Sequence, residues 1–284
     1  MSKPYRFALL GHNIAYSRSP HIFRAIADHT GLTIDFDLID IPAEKLGLSL
    51  DEIVARGFDG FSVTIPHKES LTAKMTALSD AARKIGAVNS VKVEDGGLYG
   101  DNTDVYGFAL PLKPHRRELE GSDAIVVGSG GAARAVIYSL ITDFNLGSIT
   151  VFSRTPSRLA SLVADVARFG GDTVLEARLL TEFPVEFEEP AAILVNCTPL
   201  GGFTPEGEPI ASFPFPVNAA HVYYDLTYNS DTLLIAQARR AGIAAIDGTT
   251  MLVGQAIRSF SIWTDQEVAM EPIFRAVFGE QATS

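Results

Sequence analysis

The stretch "AIVVGSGGAARAVIYSLI", residues 124–141, joins four apolar residues to a longer apolar pattern through a turn rich in glycine. A strand that leads through such a turn into a helix exposes backbone N–H groups at the helix N-terminus, where a pyrophosphate binds. Gly128 would make the tight turn, Gly130 would leave space for the phosphate, and the small Ala133 would let helix pack on strand. A second strand pattern, "SITVFSR" at 148–154, follows at the right distance. The stretch therefore predicts a dinucleotide-binding Rossmann unit.

The end of that second strand indicates which dinucleotide binds. NAD sites usually have an Asp or Glu here for the ribose 2′-hydroxyl, whereas this chain has "SRTPSR" at 153–158. Arg154 and Arg158 can pair with the oxygens of a 2′-phosphate and stack on adenine. The alternative is that both arginines lie on a solvated helix start at Ser157. NADP is the cofactor that this pattern favours.

Composition restricts the class of protein. With 284 residues, 46% of them hydrophobic, we expect a globular protein of two domains. A net charge of −11 argues against nucleic acid or an anionic membrane as partner. The single cysteine, Cys197, permits no intrachain disulfide and no thiolate cluster, so no metal is expected. The apolar run at 7–10 is too short for a signal peptide and indicates a first strand, so we expect a cytoplasmic protein.

Strand and helix patterns alternate along the first half, which predicts a mainly parallel sheet with covered faces. Strands are predicted at 5–11, 34–41 and 60–66, and helices at 19–31 and 46–57. Helical spacing continues over 69–86, and a strand pair at 87–93 and 97–104 joins at Asp95-Gly96-Gly97. After a polar linker region at 111–123, the pattern predicts a helix at 157–170, strands at 191–199 and 221–228, and helices at 232–242 and 251–265. "FPVEFEEP" at 183–190 indicates a solvated loop.

Polar residues follow several strands of the first half. The set comprises Ser17 and Ser19 in "YSRSP", Thr64 and Lys68 in "TIPHK", Asn89 in "AVN" and Asp104 in "GDNTD". Taken singly, the lysine could be solvated, Ser19 could cap the helix from Pro20, Asn89 could fill a turn and Asp104 could cap the next helix. Taken together, they suit a polyhydroxylated ligand that carries a carboxylate, with one lysine and one aspartate able to move a proton.

The chain resembles the shikimate dehydrogenases over nearly its whole length. The resemblance rests on "SRSP", "VTIPHK", "GAVN", "GDNTD", "GSGGAAR", "SRTPSR" and "DGTTMLVGQA", in that order. It implies an α/β protein that reduces 3-dehydroshikimate to shikimate with NADPH. It also implies a substrate-binding domain of residues 1–105 plus 248–284, to which C-terminal helices return, and an NADP-binding domain of residues 106–247.

Site residues follow from the resemblance, position by position. Lys68 and Asp104 would be the catalytic pair, with Asp104 orienting the lysine. Ser17 and Ser19 would bind the substrate carboxylate, with Tyr228 nearby. The ring hydroxyls would be held by Thr64, Asn89, Asp104 and Gln255. The pyrophosphate would lie on Gly128, Ser129, Gly130, Gly131, Ala132, Ala133 and Arg134, the adenosine phosphate on Ser153, Arg154, Thr155 and Arg158, and the nicotinamide near "NCTPLG" and Met251. For Gln255 a helix surface, and for Met251 and Cys197 a core position, are alternatives.

The chain departs from the family's pattern at several positions near the expected substrate wall or the nicotinamide. Asn13 and Tyr16 stand where proline and histidine are common, Phe23 and Arg24 replace a common His-Asn pair, and Thr250 stands where glycine is usual. Three alternatives stay open: a quinate/shikimate dehydrogenase that uses NAD, a dinucleotide-binding regulator without turnover, and another NADP enzyme of the same architecture. The protein is expected to be a monomer or a homodimer.

Overall fold

The structure is a computed structural model that describes residues 3–94, 97–183, 190–201, 220–228 and 232–279, without the side chains of 47–49. The chain forms two compact units, one of Met1–Gly107 with Val253–Ser284 and one of Phe108–Leu252. The C-terminal segment from Val253 onward therefore belongs to the first unit. The α/β fold class predicted from the sequence is confirmed.

Both units are built from strands and helices in alternation. The strands are β1 (Tyr5–Gly11), β2 (Ile34–Asp40), β3 (Gly60–Val63), β4 (Ala77–Leu78), β5 (Ser90–Glu94), β6 (Gly97–Asp101), β7 (Asp123–Val127), β8 (Ser148–Ser153), β9 (Val174–Leu179), β10 (Ala191–Asn196), β11 (Ala220–Asp225) and β12 (Ala244–Ile246). The helices are α1 (Ser19–Thr30), α2 (Leu46–Ala55), α3 (Asp80–Ile85), α4 (Asp104–Leu112), α5 (Arg116–Leu119), α6 (Gly131–Thr142), α7 (Pro156–Val166), α8 (Leu233–Arg240), α9 (Thr249–Thr264) and α10 (Met270–Phe278). Among the described residues, no helix is long and apolar enough to cross a bilayer.

The first unit contains a mixed six-stranded sheet in the order β2-β1-β3-β5-β6-β4. The strands β1, β2 and β3 are parallel, whereas β5 runs antiparallel to both β3 and β6. An aromatic cluster fills one side of this unit, where the Trp263 ring lies 4.8 Å from Phe7 and stacks on Phe23 at 5.5 Å. A Cβ atom at Gly60 would come within 2.5 Å of the Trp263 ring, so α9 can pack here only on a glycine. Phe23 is thus a core residue.

The second unit contains a parallel six-stranded sheet in the order β12-β11-β10-β7-β8-β9. Apolar clusters cover both faces of the sheet. One cluster holds Val126 with the helix residues Ala133 and Leu140, and the other holds Ile125 with Leu234. These parallel strands are buried on both faces, and for this reason their sequences are continuous apolar runs.

The helical spacing over 69–86 is a prediction that is wrong for most of its length. Ala77 and Leu78 instead form the short strand β4 and pair with β6. Ser79 then caps the short helix α3, because its Oγ accepts a hydrogen bond from the N–H of Ala82 at 3.1 Å. Sheet pairing and a cap residue therefore override the local apolar spacing.

Two further predictions concern loops. Of the turn between β5 and β6, Asp95 and Gly96 lie outside the described residues, while the predicted antiparallel pairing of the two strands is present. Most of the predicted solvated loop, residues 184–189, likewise lies outside them.

Candidate active site

Lys68 and Asp104 form an ion pair in the first unit. Lys68 follows β3, Asp104 begins α4, and the lysine Nζ donates to Asp104 Oδ2 at 2.5 Å. The side chains are only 16% and 6% exposed, so neither is an ordinary solvated surface charge. The carbonyl of Lys68 accepts a hydrogen bond from the N–H of Val88 at 2.8 Å, which ties the lysine backbone to the segment before β5.

Asn89 holds the other oxygen of this carboxylate. Its Nδ2 donates to Asp104 Oδ1 at 2.8 Å and to Thr103 Oγ1 at 3.0 Å, and its Oδ1 accepts from the N–H of Thr103 at 2.6 Å. Gln255 Oε1 lies 3.4 Å from the same Nδ2. Asn89 is buried, so it is a fixed part of a polar network and not a turn residue at the surface.

His67 fixes the backbone next to the lysine. The imidazole is fully buried, and its Nε2 lies 2.7 Å from the carbonyl oxygen of Ile41, just beyond β2. Because a carbonyl only accepts, Nε2 carries the proton in this bond. The segment 64–70, here called the lysine loop, is thereby held to the end of β2.

The two serines lie in the segment 12–18 and at the start of α1; the segment is here called the serine loop. Ser17 Oγ donates to Ser19 Oγ at 3.2 Å and accepts from the N–H of Ser19 at 3.2 Å. Arg18 occupies the N-cap position, and the helix begins at Ser19 itself, so Ser19 is not the capping residue. The N–H of His12 donates to the carbonyl of Ile65 at 3.0 Å, which brings the serine loop to the lysine loop. Thr64 lies at the beginning of the lysine loop, half-buried.

The glycine turn of the second unit has the backbone that a pyrophosphate requires. Gly128 has a φ of 126°, and a Cβ there would lie 3.1 Å from the Cβ of Cys197, so both conformation and space demand glycine. Gly130 is the N-cap residue of α6, and a Cβ added to it would meet nothing within 4 Å. The N-terminus of α6, with Gly131 and Ala132 half-buried, is therefore open for an anion, and this cradle fits a dinucleotide.

The end of β8 lies beside this turn. Ser129 Oγ and Ser153 Oγ are 2.7 Å apart and both are buried. Arg154, Thr155 and Arg158 follow and are exposed, so their side chains are accessible to a phosphate. The residues present thus fit NADP in charge and in accessibility.

Arg134, in contrast, faces the interior. Its side chain is buried, pairs with Asp165 and donates to Ser161 Oγ at 3.1 Å. The guanidinium therefore joins α6 to α7. Only the backbone of Arg134 is left for the predicted pyrophosphate cradle, and that N–H already donates to the carbonyl of Gly130.

The remaining predicted residues lie in different places. Met251 is buried in an apolar cluster of the second unit, and Tyr228 follows β11 in the same unit. Gln255 lies on α9 in the first unit, beside Asn89. Burial raises the pKa of the Cys197 thiol, with a smaller contribution from Asp225, so this thiol is not a nucleophile at neutral pH.

Sequence reasoning missed a buried carboxylate, Asp225, at the end of β11. It is fully buried and accepts hydrogen bonds from Tyr223 OH and Thr232 Oγ1, each at 2.9 Å, and from the N–H of Thr227 at 3.0 Å. Burial raises its pKa, and these hydrogen bonds oppose that shift. The signal available in the sequence was an aspartate directly after the apolar strand pattern "HVYY".

A parallel dinucleotide-binding sheet, a glycine turn with exposed arginines, and a shielded lysine–aspartate pair define a class, the two-unit α/β oxidoreductases. Comparison with known proteins identifies the member of that class. A profile described as "Shikimate dehydrogenase substrate binding domain" matches residues 9–91. A protein of Salinibacter ruber named shikimate dehydrogenase (NADP(+)) is 34% identical over 273 residues, 95% of each chain. The chain belongs to the shikimate dehydrogenase family.

Solved structures agree with this assignment. Shikimate dehydrogenase from Aquifex aeolicus is 29% identical, with a TM-score of 0.82 over 98% of this chain and 100% of its own. Shikimate 5-dehydrogenase from Thermus thermophilus, solved in complex with NADP(H) and shikimate, is 34% identical, with a TM-score of 0.78 over 96% of this chain and 98% of its own. The likeness therefore extends through both units.

Proposed function

We propose that this protein catalyses the reversible, NADPH-dependent reduction of 3-dehydroshikimate to shikimate, in the biosynthesis of chorismate and the aromatic amino acids. The observation that carries the proposal is the Lys68–Asp104 pair, held by Asn89 within a chain of this family. A shielded ammonium next to a carboxylate suits the transfer of one proton to and from a substrate oxygen.

Bound NADPH supplies a hydride for the ketone carbon. As that carbon is reduced, negative charge develops on its oxygen, and the Lys68 ammonium stabilises the charge and donates a proton. Asp104 keeps one N–H of the ammonium engaged, which leaves the other two for the substrate. In the direction of shikimate oxidation, neutral Lys68 takes the hydroxyl proton back. Asn89 fixes Asp104, so the pair is oriented before substrate arrives.

A domain of residues 1–105 and 248–284 would bind the substrate. Ser17 and Ser19 carry hydroxyls that can donate to the substrate carboxylate, and their mutual contact at 3.2 Å supports a joint role. The ring hydroxyls are assigned to Thr64, Asn89, Asp104 and Gln255. Tyr228 is assigned to the carboxylate end of the substrate.

A domain of residues 106–247 would bind NADP. The pyrophosphate is assigned to the backbone of Gly128, Ser129, Gly130, Gly131, Ala132 and Ala133, and the 2′-phosphate to Ser153, Arg154, Thr155 and Arg158. Met251 is assigned to the nicotinamide. In a chain of net charge −11, the exposed arginines supply the local positive charge that an anionic cofactor needs.

The proposal includes a cytoplasmic location and a monomer or homodimer without nucleic-acid or membrane partners. A single cysteine suits a reducing compartment. The acidic net charge disfavours association with nucleic acid.

The test offers shikimate and quinate separately to the purified protein, each with NADP and with NAD, and follows the absorbance of the reduced cofactor. Turnover is expected with shikimate and NADP. Equal rates with quinate or with NAD would instead establish the broader quinate/shikimate activity. NADP binding without turnover of either substrate would identify a regulator and overturn the proposal.

A further inference from the structure

Asp40, the last residue of β2, accepts three hydrogen bonds from the serine loop. Its Oδ1 lies 2.9 Å from Nδ1 of His12 and 3.1 Å from the N–H of Asn13, and its Oδ2 lies 3.3 Å from the N–H of Ile14. The His12 bond contributes most to a lowered pKa of the Asp40 carboxyl. The side chain is 46% exposed, so the carboxylate is not held in place by a buried environment. Its three hydrogen bonds to the described part of the chain all come from the serine loop.

The backbone conformation of Asn13 is suited to its hydrogen bond with Asp40. Its φ is 56°, in the left-handed region that asparagine tolerates better than most residues. In this conformation its N–H points to Asp40. A proline at this position could neither adopt this φ nor donate this bond. The loop of this chain is therefore held by a carboxylate and not by a rigid ring.

The contact is transmitted to the serines within three residues. The N–H of Ser17 donates to the carbonyl of Ile14 at 3.0 Å, and Ser17 Oγ then contacts Ser19. Residue Ile14 thus donates its N–H to Asp40 and accepts at its carbonyl from Ser17, which links the position of Ser17 to Asp40. Next to Asp40, the N–H of Ile41 donates to the carbonyl of Gly11 at 2.8 Å, so the chain at the end of β2 also holds the residue from which the loop begins.

We propose that Asp40 is a positioning residue for substrate recognition: it holds Asn13 and Ile14 so that Ser17 and Ser19 present their hydroxyls to the substrate carboxylate. This inference rests on the proposed function, which assigns the carboxylate to the two serines. Asp40 is proposed to act only through the loop, by its contacts with His12, Asn13 and Ile14. Its loss is therefore expected to affect substrate saturation and to spare the chemistry at Lys68.

The test compares Asp40→Ala and Asp40→Asn with Asp37→Asn. Asp37 is a matched control because it lies on the same strand and its carboxylate accepts from Arg56 Nη2 at 2.8 Å, at a different site. Asp40→Ala is expected to raise the KM for shikimate by about 10-fold to 100-fold, the usual cost of misplaced binding groups. The kcat and the KM for NADP should stay near their unsubstituted values. Asp40→Asn, which keeps one acceptor oxygen, should show a smaller rise, and Asp37→Asn none.

A second pair of variants tests the loop without touching Asp40. Asn13→Gly keeps both the N–H and the left-handed conformation, so the KM for shikimate should change little. Asn13→Pro removes both and should raise that KM as Asp40→Ala does. An unchanged KM in Asp40→Ala and Asn13→Pro, or an equal rise in Asp37→Asn, would overturn the proposal.

Amide hydrogen exchange separates this inference from the proposed function. The amides of Asn13, Ile14 and Ser17 are expected to exchange faster in Asp40→Ala than in the unsubstituted protein or in Asp37→Asn. If shikimate is not turned over at all, the proposed function fails, and faster exchange at these amides still supports the role of Asp40 in holding the serines. Unchanged exchange in Asp40→Ala would contradict that role whatever the activity.

Discussion

Lys68 donates to Asp104 across 2.5 Å, although 36 residues separate the two in the chain. The second carboxylate oxygen of Asp104 is held by Asn89 at 2.8 Å. With both oxygens engaged, the carboxylate has a fixed orientation, and the direction of the lysine amine is fixed with it. A lysine in this setting is suited to proton transfer at one point in space.

Replacing Lys68 by alanine should lower kcat by about 10²–10⁴-fold, the range typical of a positioned general acid–base group. Shikimate and NADP should still bind, because the serine loop and the glycine turn are unchanged, and calorimetric titration measures both affinities. Lys84→Ala is the control, since Lys84 lies on α3 and pairs with the exposed Asp80. Near-normal turnover in Lys68→Ala would show that this lysine is not the proton donor and would overturn the mechanism.

The pairing itself is tested by Asp104→Ala and by the double substitution. Asp104→Ala should impair turnover and also weaken shikimate binding, since Asp104 is assigned to a ring hydroxyl as well. Residues that act as a unit show non-additive losses, so Lys68→Ala with Asp104→Ala should cost much less than the product of the two single effects. Fully multiplicative losses in kcat/KM would mean that the two residues act separately.

The glycine turn gives a further prediction, because Gly128 and Gly130 have different physical roles. Gly128→Ala should destabilise the protein by about 1–3 kcal/mol, since the residue needs a positive φ and its Cβ would crowd Cys197. Gly130→Ala should leave the urea unfolding midpoint unchanged, because the added Cβ meets nothing in the protein. It should nevertheless weaken NADP binding, because the methyl group would occupy space needed by the pyrophosphate. Unchanged NADP affinity in Gly130→Ala would place the phosphate elsewhere.

Helices and strands with a clear local sequence pattern could be predicted, and elements that depend on pairing with a distant strand could not. The strands and helices around the glycine turn are local patterns, and the structure contains them. The strand β9 was missed because it lies at the sheet edge and most of its residues are exposed, so it has no apolar alternation. The strand β12 was missed because it has three residues. In both cases pairing with a neighbouring strand creates the element, and pairing is not visible in a local pattern.

In the candidate site, too, residue types could be recognised in the sequence, but contacts between distant segments could not. The residue types of Lys68 and Asp104 made them candidates. Their pairing was predicted from the family resemblance and not from their spacing in the sequence. Asp40 was missed because an acidic residue at a strand end is usually solvated, and the left-handed turn at Asn13 has no sequence signature of its own. Asp225 was missed because its four hydrogen-bond donors come from three separate segments.

Cofactor choice gives another prediction. Arg154→Asp should weaken NADP binding by about one to two decades, since a charge-assisted hydrogen bond is worth about 1.5–3 kcal/mol, while NAD binding should change far less. Arg240→Asp on α8 makes the same change in net charge and is the control. Fluorescence titration of both cofactors measures the effect. Equal losses for NADP and NAD would show that Arg154 does not discriminate between them.

The last prediction concerns the pH dependence of stability and rests on Asp225. Burial raises the pKa of this carboxyl above its ordinary value of 3.8 despite the hydrogen bonds that it accepts. The folded protein therefore binds a proton at this site more readily than the unfolded chain does. It follows that Asp225 favours the folded state most at low pH, and that this contribution is lost as pH rises through the raised pKa.

Asp225→Asn removes the titration and also turns an amide N–H₂ toward donors, so the variant should be less stable at every pH. The free energy of unfolding of the original protein minus that of Asp225→Asn should decrease as pH rises above the ordinary value, with a slope of at most about 1.4 kcal/mol per pH unit. Urea unfolding from about pH 4 to about pH 8 measures this difference. A difference that increases with pH would mean that the hydrogen bonds outweigh burial and that the pKa of Asp225 is lowered.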